Sequence, residues 1–327
     1  MAYQKGLVAT LAELEMFYKD QPVIELMNQT NDVLSDIPWM EANQTDGHVT
    51  RIRTGLPEIH WRRLYKGVPP SKASVAQVKE ICGMMEAIQN LDVKELELYG
   101  DKANAFRLSE GKAFTEAMRQ KVAATLFYGD NNVNPDEFNG LAMRFPSKSS
   151  PNVVDAGGTT KDKETSIWLI KWGADTVHGI YPKGSTGGLK HESAGPSFVQ
   201  DTNGNPFRAV SDIYSWNCGL ALRDWRAGVR ICNIDVTKLG KKKGETGYID
   251  FHSLMIEAKN KMPAYMRAGA IWYCNSSVMT ALEQQASDSG NVQLVYGENF
   301  KSQPVPIVHG LQVHQCDAIV LTESVLA

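Results

Sequence analysis

The chain has 327 residues, 43% of them apolar and 22% charged, with a formal net charge of −3. That balance excludes a disordered chain, and it disfavours a general nucleic-acid binder, which carries a basic excess. The length suits one large folded unit or two packed lobes, and no run approaches the ~18 apolar residues of a membrane span, so no membrane partner is expected.

At the start of the chain, Leu7, Leu11, Leu14 and Tyr18 form a helical stripe. Thr10 and Glu13 have capping-box spacing, and Pro22 ends the stripe. No basic segment leads into an apolar run, so a secretory leader is not expected. A short turn follows over 23–27, and then an irregular stretch anchored by Ile37, Pro38, Trp39 and Met40. Residues 1–48 therefore read as an N-terminal arm.

Residues 49–89 read as an extended loop with no core of its own. Polar and apolar residues alternate from Val49 to Thr54 and, weakly, from Ile59 to Arg62. Gly67, Val68, Pro69, Pro70 and Ser71 form a turn-rich tip before a second strand at Val75–Val78. A strand pair with so little to pack against is marginal alone, so a neighbouring subunit is expected to cover it.

The clearest helix runs from about Asn104 to Tyr128, with Ala105, Leu108, Phe114, Met118, Val122 and Leu126 on its apolar face and Gly129 at its end. Ile167–Trp172 and Thr176–Tyr181 read as neighbouring strands joined by a turn at Gly173, Ala174 and Asp175. Further strands are expected at Phe207–Ser215 and Gly228–Val236, with a tight turn at Asn203-Gly204. Asp250 caps a helix that runs to Lys261. Ile271–Cys274 reads as a strand, and Ser276 or Ser277 starts a helix to about Ala286. Short strands close the chain at Val292–Tyr296, Pro306–Val308, Leu311–His314 and Ala318–Leu321. Interspersed helices and strands without regular βαβ spacing predict an α+β fold.

The chemistry of an enzyme is missing. Gly184 to Gly188 lacks the lysine of a phosphate loop. The Asp201, Asn203, Asn205 series has Pro206 where a calcium loop needs glycine. His309 and His314 flank a glycine turn, His252 and Glu257 are five apart, and Ser109 and Lys112 lack the companion motifs of a serine–lysine site. Five scattered cysteines form neither a disulfide framework nor a metal motif, and they suit a reducing compartment. No catalytic residue, cofactor or metal is expected.

Charge is patterned instead. Residues 51–79 carry Arg51, Arg53, Arg62, Arg63, Lys66, Lys72 and Lys79 against Glu58 alone, a net +6, whereas residues 80–116 carry a net −4. A positive arm can register on the negative face of a neighbour, since complementary potentials set encounter and orientation. Trp61, Leu64, Val75, Val78, Ile81, Met84 and Met85 are the apolar candidates for holding the contact. The inter-subunit set expected from both properties is Arg51, Arg53, Trp61, Arg62, Arg63, Lys66, Lys72, Val75, Val78, Met84 and Met85.

In this order of elements the chain resembles a tailed-bacteriophage major capsid protein with the Johnson fold. Phe138-Asn139-Gly140-Leu141 with Arg144-Phe145, Ser166–Gly173, Tyr181–Gly184, Trp216–Leu220, Asp224–Arg226, Ala270–Asn275 and Asp317–Val320 carry the resemblance. It is nearest to the tropism-switching Bordetella podophages. The resemblance implies an arm at 1–48, the extended loop at 49–89, and a peripheral domain with a spine helix at 90–159. It further implies a mainly axial domain at 160–290 and C-terminal strands at 291–327 that return to the peripheral domain. It implies many copies of the chain in hexamers and pentamers, forming an icosahedral shell around double-stranded DNA held by non-specific contact. A portal complex, a separate scaffold protein and a cementing protein are the further partners it brings, with assembly in the host bacterial cytoplasm. Lys66 and Lys72 compare with a lysine that some relatives crosslink to asparagine. A tail or head-completion component, and more distantly a soluble hydrolase, stand as alternatives.

Overall fold

Two sheets organise the chain in the computed structural model, which describes residues 29–288, 294–298 and 304–327. The helical stripe around Thr10 lies outside those residues. The first sheet runs β1 (Trp39–Glu41), β6 (Val177–Tyr181), β8 (Pro206–Leu222), β3 (Ser74–Asp92), β2 (Gly47–Gly55), with β7 (Lys190–Gln200) added along β8. The second runs β11 (Leu294–Glu298), β12 (Pro304–Val308), β13 (Leu311–Gln315), β10 (Ile271–Cys274), β5 (Glu164–Ile170), β9 (Gly228–Asp235), β4 (Val153–Asp155). Six α-helices lie among the described residues: α1 (Val33–Asp36), α2 (Val93–Tyr99), α3 (Ala103–Tyr128), α4 (Phe251–Lys261), α5 (Ala264–Arg267) and α6 (Ser276–Asp288). The α+β expectation holds.

The core lies on the second sheet. Every residue of β5 and β9 is buried. Trp168 packs between Phe127 and Phe145, with ring centroids 5.9 Å from each. The Arg230 guanidinium lies over the same indole, 5.1 Å from its centroid. Its charge is matched by Glu323 at 2.8 Å, and Ser166 accepts from Arg230 Nε at 3.0 Å. Glu323 also accepts from the hydroxyls of Tyr128 and Ser166. A buried charge is tolerable only when it is paired and hydrogen-bonded, and this network does both while tying the C-terminal segment to α3 and β5.

α3 begins within one residue of its expected start, but its buried face is shorter than the sequence pattern implied. Met118, Val122, Ala123, Leu126 and Phe127 are buried, whereas Ala105 and Leu108 face outward. The first half of the helix rides on β8 instead, through stacking of Phe114 on Tyr214 and an ion pair from Arg107 to the buried Asp212. Gly111 sits at that crossing. A Cβ there would stand 2.4 Å from the Tyr214 hydroxyl, so the helix accepts the ~1 kcal/mol propensity penalty of a mid-helix glycine in exchange for close approach.

Two expectations are corrected here, and one strand is added. Ile167–Trp172 and Thr176–Tyr181 are not paired as a hairpin: β5 belongs to the second sheet and β6 to the first, with only a bridge between Trp172 and Val177. The 173–176 turn is a corner between sheets, closed by the Thr176 hydroxyl donating to the Lys171 carbonyl. Ala318–Leu321 is not a strand, because Asn31 caps the Ala318 amide and Asn275 takes the Ile319 carbonyl. β7 was not anticipated. It is an exposed edge strand with a register shift between Ser193 and Gly195, and its residues have little intrinsic strand preference.

Candidate assembly surface

β3 is the organising element, 19 residues long, or about 65 Å at ~3.4 Å per residue. Its second half, Cys82–Asp92, pairs with β8 inside the subunit. Its first half, Ser74–Ile81, pairs only with β2. The chain thus divides at Ile81 and Cys82, and from there the β2–β3 hairpin projects with residues 56–73 as an irregular tip. The strand expected around Ile59–Arg62 does not form.

The root of the hairpin is pinned. Arg144 donates two hydrogen bonds of 2.6 Å to the buried Glu80 carboxylate. Such a bidentate pair fixes direction as well as distance. Asn43 exchanges hydrogen bonds with both backbone groups of Val49, each 2.8 Å. Arg223 donates to His48 Nε2 at 2.9 Å. Lys79 pairs with Asp46, whose carboxyl is held below the usual range by that ammonium. Gly47 is needed because a Cβ would fall 2.1 Å from the Glu80 carbonyl oxygen. Beneath these groups His178 is fully buried, and burial, then the Arg223 charge, pushes its pKa down to about 4. Burial likewise lowers His48.

Beyond the root the hairpin is bare. Trp61 is 104% exposed and Leu64 87%, and Leu56, Ile59 and Tyr65 are comparably open. The tip is ordered by local bonds: Arg62 Nε to the Lys66 carbonyl, the Lys66 amide to the Arg63 carbonyl, and the Ser71 hydroxyl to the Glu58 carbonyl. Tyr65 takes a positive φ of 63° within this turn.

The expected contact residues divide accordingly. Arg51, Arg53, Trp61, Arg62, Arg63, Lys66, Lys72 and Val75 are exposed on the hairpin, and Val78 is half-buried there. Met84 is also exposed, although it lies in the half of β3 that pairs with β8. Met85 is half-buried against the subunit's own core, as is Ile81. Burial by a neighbour therefore cannot be the whole role of Met85, because period-two alternation turns it inward where Met84 turns out. The Glu80–Arg144 and His48–Arg223 pairs have no local sequence signal, since their partners are 64 and 175 residues apart. Among the described residues no His, Cys, Asp and Glu cluster could hold a metal, and no helix is long and apolar enough to cross a membrane.

The hairpin combines a pinned root, a bare apolar tip and an excess of basic residues. Residues 18–327 match the family described as Major capsid protein GP7. The chain belongs to that family. A chain from the cryo-electron-microscopy structure of bacteriophage epsilon15 shares 29% identity over 100% of both chains, with a TM-score of 0.71. The capsid of bacteriophage JBD30 shares 12% identity over 95% of this chain and 99% of that one, with a TM-score of 0.53, a likeness of fold alone. No curated protein matches the chain. This capsid protein has the Johnson fold and is a tailed-phage structural component that acts in many copies within the virion capsid, not an enzyme. The hydrolase and tail-component alternatives are set aside on that ground.

Proposed function

We propose that this capsid protein closes an icosahedral shell of hexamers and pentamers around double-stranded DNA, with the β2–β3 hairpin as the grip of each copy on the next. The carrying observation is the tip, where five large apolar side chains between Leu56 and Tyr65 are each more than four-fifths exposed, with no cover from the other described residues of the subunit. Burying about 1,000 Å² of such surface would contribute ~25 kcal/mol before the entropic cost of ordering and association. Exposed ion pairs add only about 0–1 kcal/mol each, so packing should hold the copies together while Arg51, Arg53, Arg62, Arg63, Lys66 and Lys72 align them.

The same reading divides the chain into an arm (1–48), the extended loop (49–89), a peripheral domain (90–159), a mainly axial domain (160–290) and returning strands (291–327). Support comes from α3, whose last third enters the core while its first part lies along β8 at Asp212 and Tyr214. Kinship with the tropism-switching Bordetella podophages belongs to the proposal too, supported by the Ser166–Gly173 and Trp216–Leu220 segments. So do a separate scaffold protein, a portal complex, a cementing protein and non-specific contact with the DNA. Assembly in the host cytoplasm is supported by five free cysteines, four of them buried. Electron microscopy of the purified protein, alone and with phage lysate, tests the shell. The expected outcome is closed particles of uniform diameter; small rings, tubes or persistent monomers would count against it.

A further inference from the structure

A groove of about 250 Å³ opens where β3, α3 and the 134–138 loop meet. Met84, Met85, Val122, Phe138 and Trp216 give it an apolar lining, and Gly83 keeps it open, since a Cβ there would stand 3.2 Å from the Asp136 carbonyl oxygen. Trp216 Nε1 is buried and has no hydrogen-bond partner among the described residues. Asp136 and Glu137 stand on the rim. Glu137 is bonded to Lys121 at 2.6 Å, whereas Asp136 has no ion pair among the described residues.

We propose that Trp61 at the hairpin tip of one copy seats in this groove of the next copy, with Arg62 and Arg63 meeting Asp136 and Glu137 on its rim. The inference rests on the shell reading and names the surface that receives the tip. Three observations select this occupant. Trp61 is a fully exposed indole, the largest apolar side chain on the hairpin, and the groove offers about 250 Å³ of space. The two residues that follow it are arginines, complementary to a rim on which Asp136 has no ion pair among the described residues. Trp61 does not fill the groove of its own copy: it is fully exposed, and Met84 lies ten residues behind Ser74 along β3, about 34 Å at ~3.4 Å per residue. Methionine suits the receiving side, because its flexible thioether adapts to an incoming ring and gains from sulfur–aromatic contact. The donor knob and the acceptor groove are different patches. Such a head-to-tail contact generates a ring when its rotation closes, which is the geometry of a capsomer.

The test is a cysteine pair in assembled shells. Both Trp61 and Met84 are exposed, so W61C/M84C should fold. Mild oxidation after assembly should yield a ladder of covalent multimers on a non-reducing denaturing gel, absent from either single variant. Shells of the double variant that form normally yet remain unlinked, or that link only within one chain, would overturn the contact and leave the shell reading intact. A charge exchange gives an independent measurement. D136K/E137K should lower shell yield by at least tenfold, and adding R62E/R63E to the same chain should recover most of it. An unaffected yield with D136K/E137K, or no recovery in the combined variant when each chain is folded by circular dichroism, would overturn the pairing. Absence of shells from the unaltered chain under every condition would remove the shell reading and this contact together.

Discussion

The hairpin and the second sheet are built on opposite terms. In β5 and β9 every residue is buried, and even the charges of Arg230 and Glu323 are paired inside. In the hairpin tip the large apolar residues are open, and the backbone is held by a few local bonds. Both segments are apolar enough to want burial, so the difference lies in where the covering surface comes from. The sheet finds its cover within one chain, and on the proposed reading the hairpin finds it on another. On that reading, strength in the first region sets whether a subunit folds, and strength in the second sets whether folded subunits hold together. Substitutions that damage one property and spare the other test that division.

The largest effect is expected in the core. Arg230→Met would leave Glu323 as a buried charge without its partner, and removing one member of such a pair costs about 3–5 kcal/mol. Denaturant unfolding of unassembled subunits should show that loss, with shell formation failing because the subunit fails. A loss below about 1 kcal/mol would mean that the C-terminal segment is not anchored as described.

Acid should act next, at the boundary between the two regions. His178 has a folded pKa of about 4 against an ordinary value of 6.5, so between those limits the unfolded chain binds a proton that the folded chain resists. Its stabilising contribution is complete above about pH 6.5 and is lost as pH falls toward 4. At ~1.4 kcal/mol per pH unit the loss reaches about 3 kcal/mol. Arg223 and His48 raise the barrier to protonation from the end of β8 and from β2, while the Gly173 backbone and Asp175 oppose them more weakly. Stability measured from pH 7 to 4 should fall, and His178→Leu should flatten that slope. Equal slopes in both proteins would remove the histidine from the account.

The root pair comes third. Glu80→Gln keeps one hydrogen bond to Arg144 but deletes the charge, and about 2–3 kcal/mol of local stability should go with it. Hydrogen exchange over β2 and the first half of β3 should speed up, while β5 and β9 keep their protection. Uniform loss across both sheets would contradict the separation of the two regions.

The legibility of the sequence follows the same division. α3, α4 with its Asp250 cap, and β10 were readable because caps and helical periodicity act within a few residues. The projecting hairpin was readable for a related reason: alternation, a glycine and proline tip and a charge excess are all local. Pairing was not readable. Nothing within Ile167–Tyr181 says that its two strands enter different sheets, and nothing near Glu80 names Arg144. The inward turn of Met85 depends on where β3 crosses onto β8, which is set 130 residues later by Trp216 and Cys218. The groove and the root therefore needed the folded chain, whereas the knob that should enter that groove was visible as Trp61 followed by Arg62 and Arg63.

The smallest effect on the subunit is expected at that knob, and it is the sharpest test of the comparison. Trp61 makes no core contact, so Trp61→Ala should change unfolding free energy by no more than about 0.5 kcal/mol, the range for surface positions. Assembly is another matter. Buried aromatic anchors dominate association energies, and truncating one costs ~2 kcal/mol or more at each contact. Because every copy in a closed shell repeats the contact, a modest loss per interface multiplies across the particle. Light scattering should then show the critical concentration for assembly rising at least tenfold while the melting curve of the free subunit stays in place. R62E/R63E should slow assembly and change its salt dependence more than its end point, since exposed charges orient encounters and are screened within ~8–10 Å. A destabilised free subunit would mean that the tip has a role within its own chain. An unchanged critical concentration would mean that the exposed indole is not where neighbouring copies hold each other.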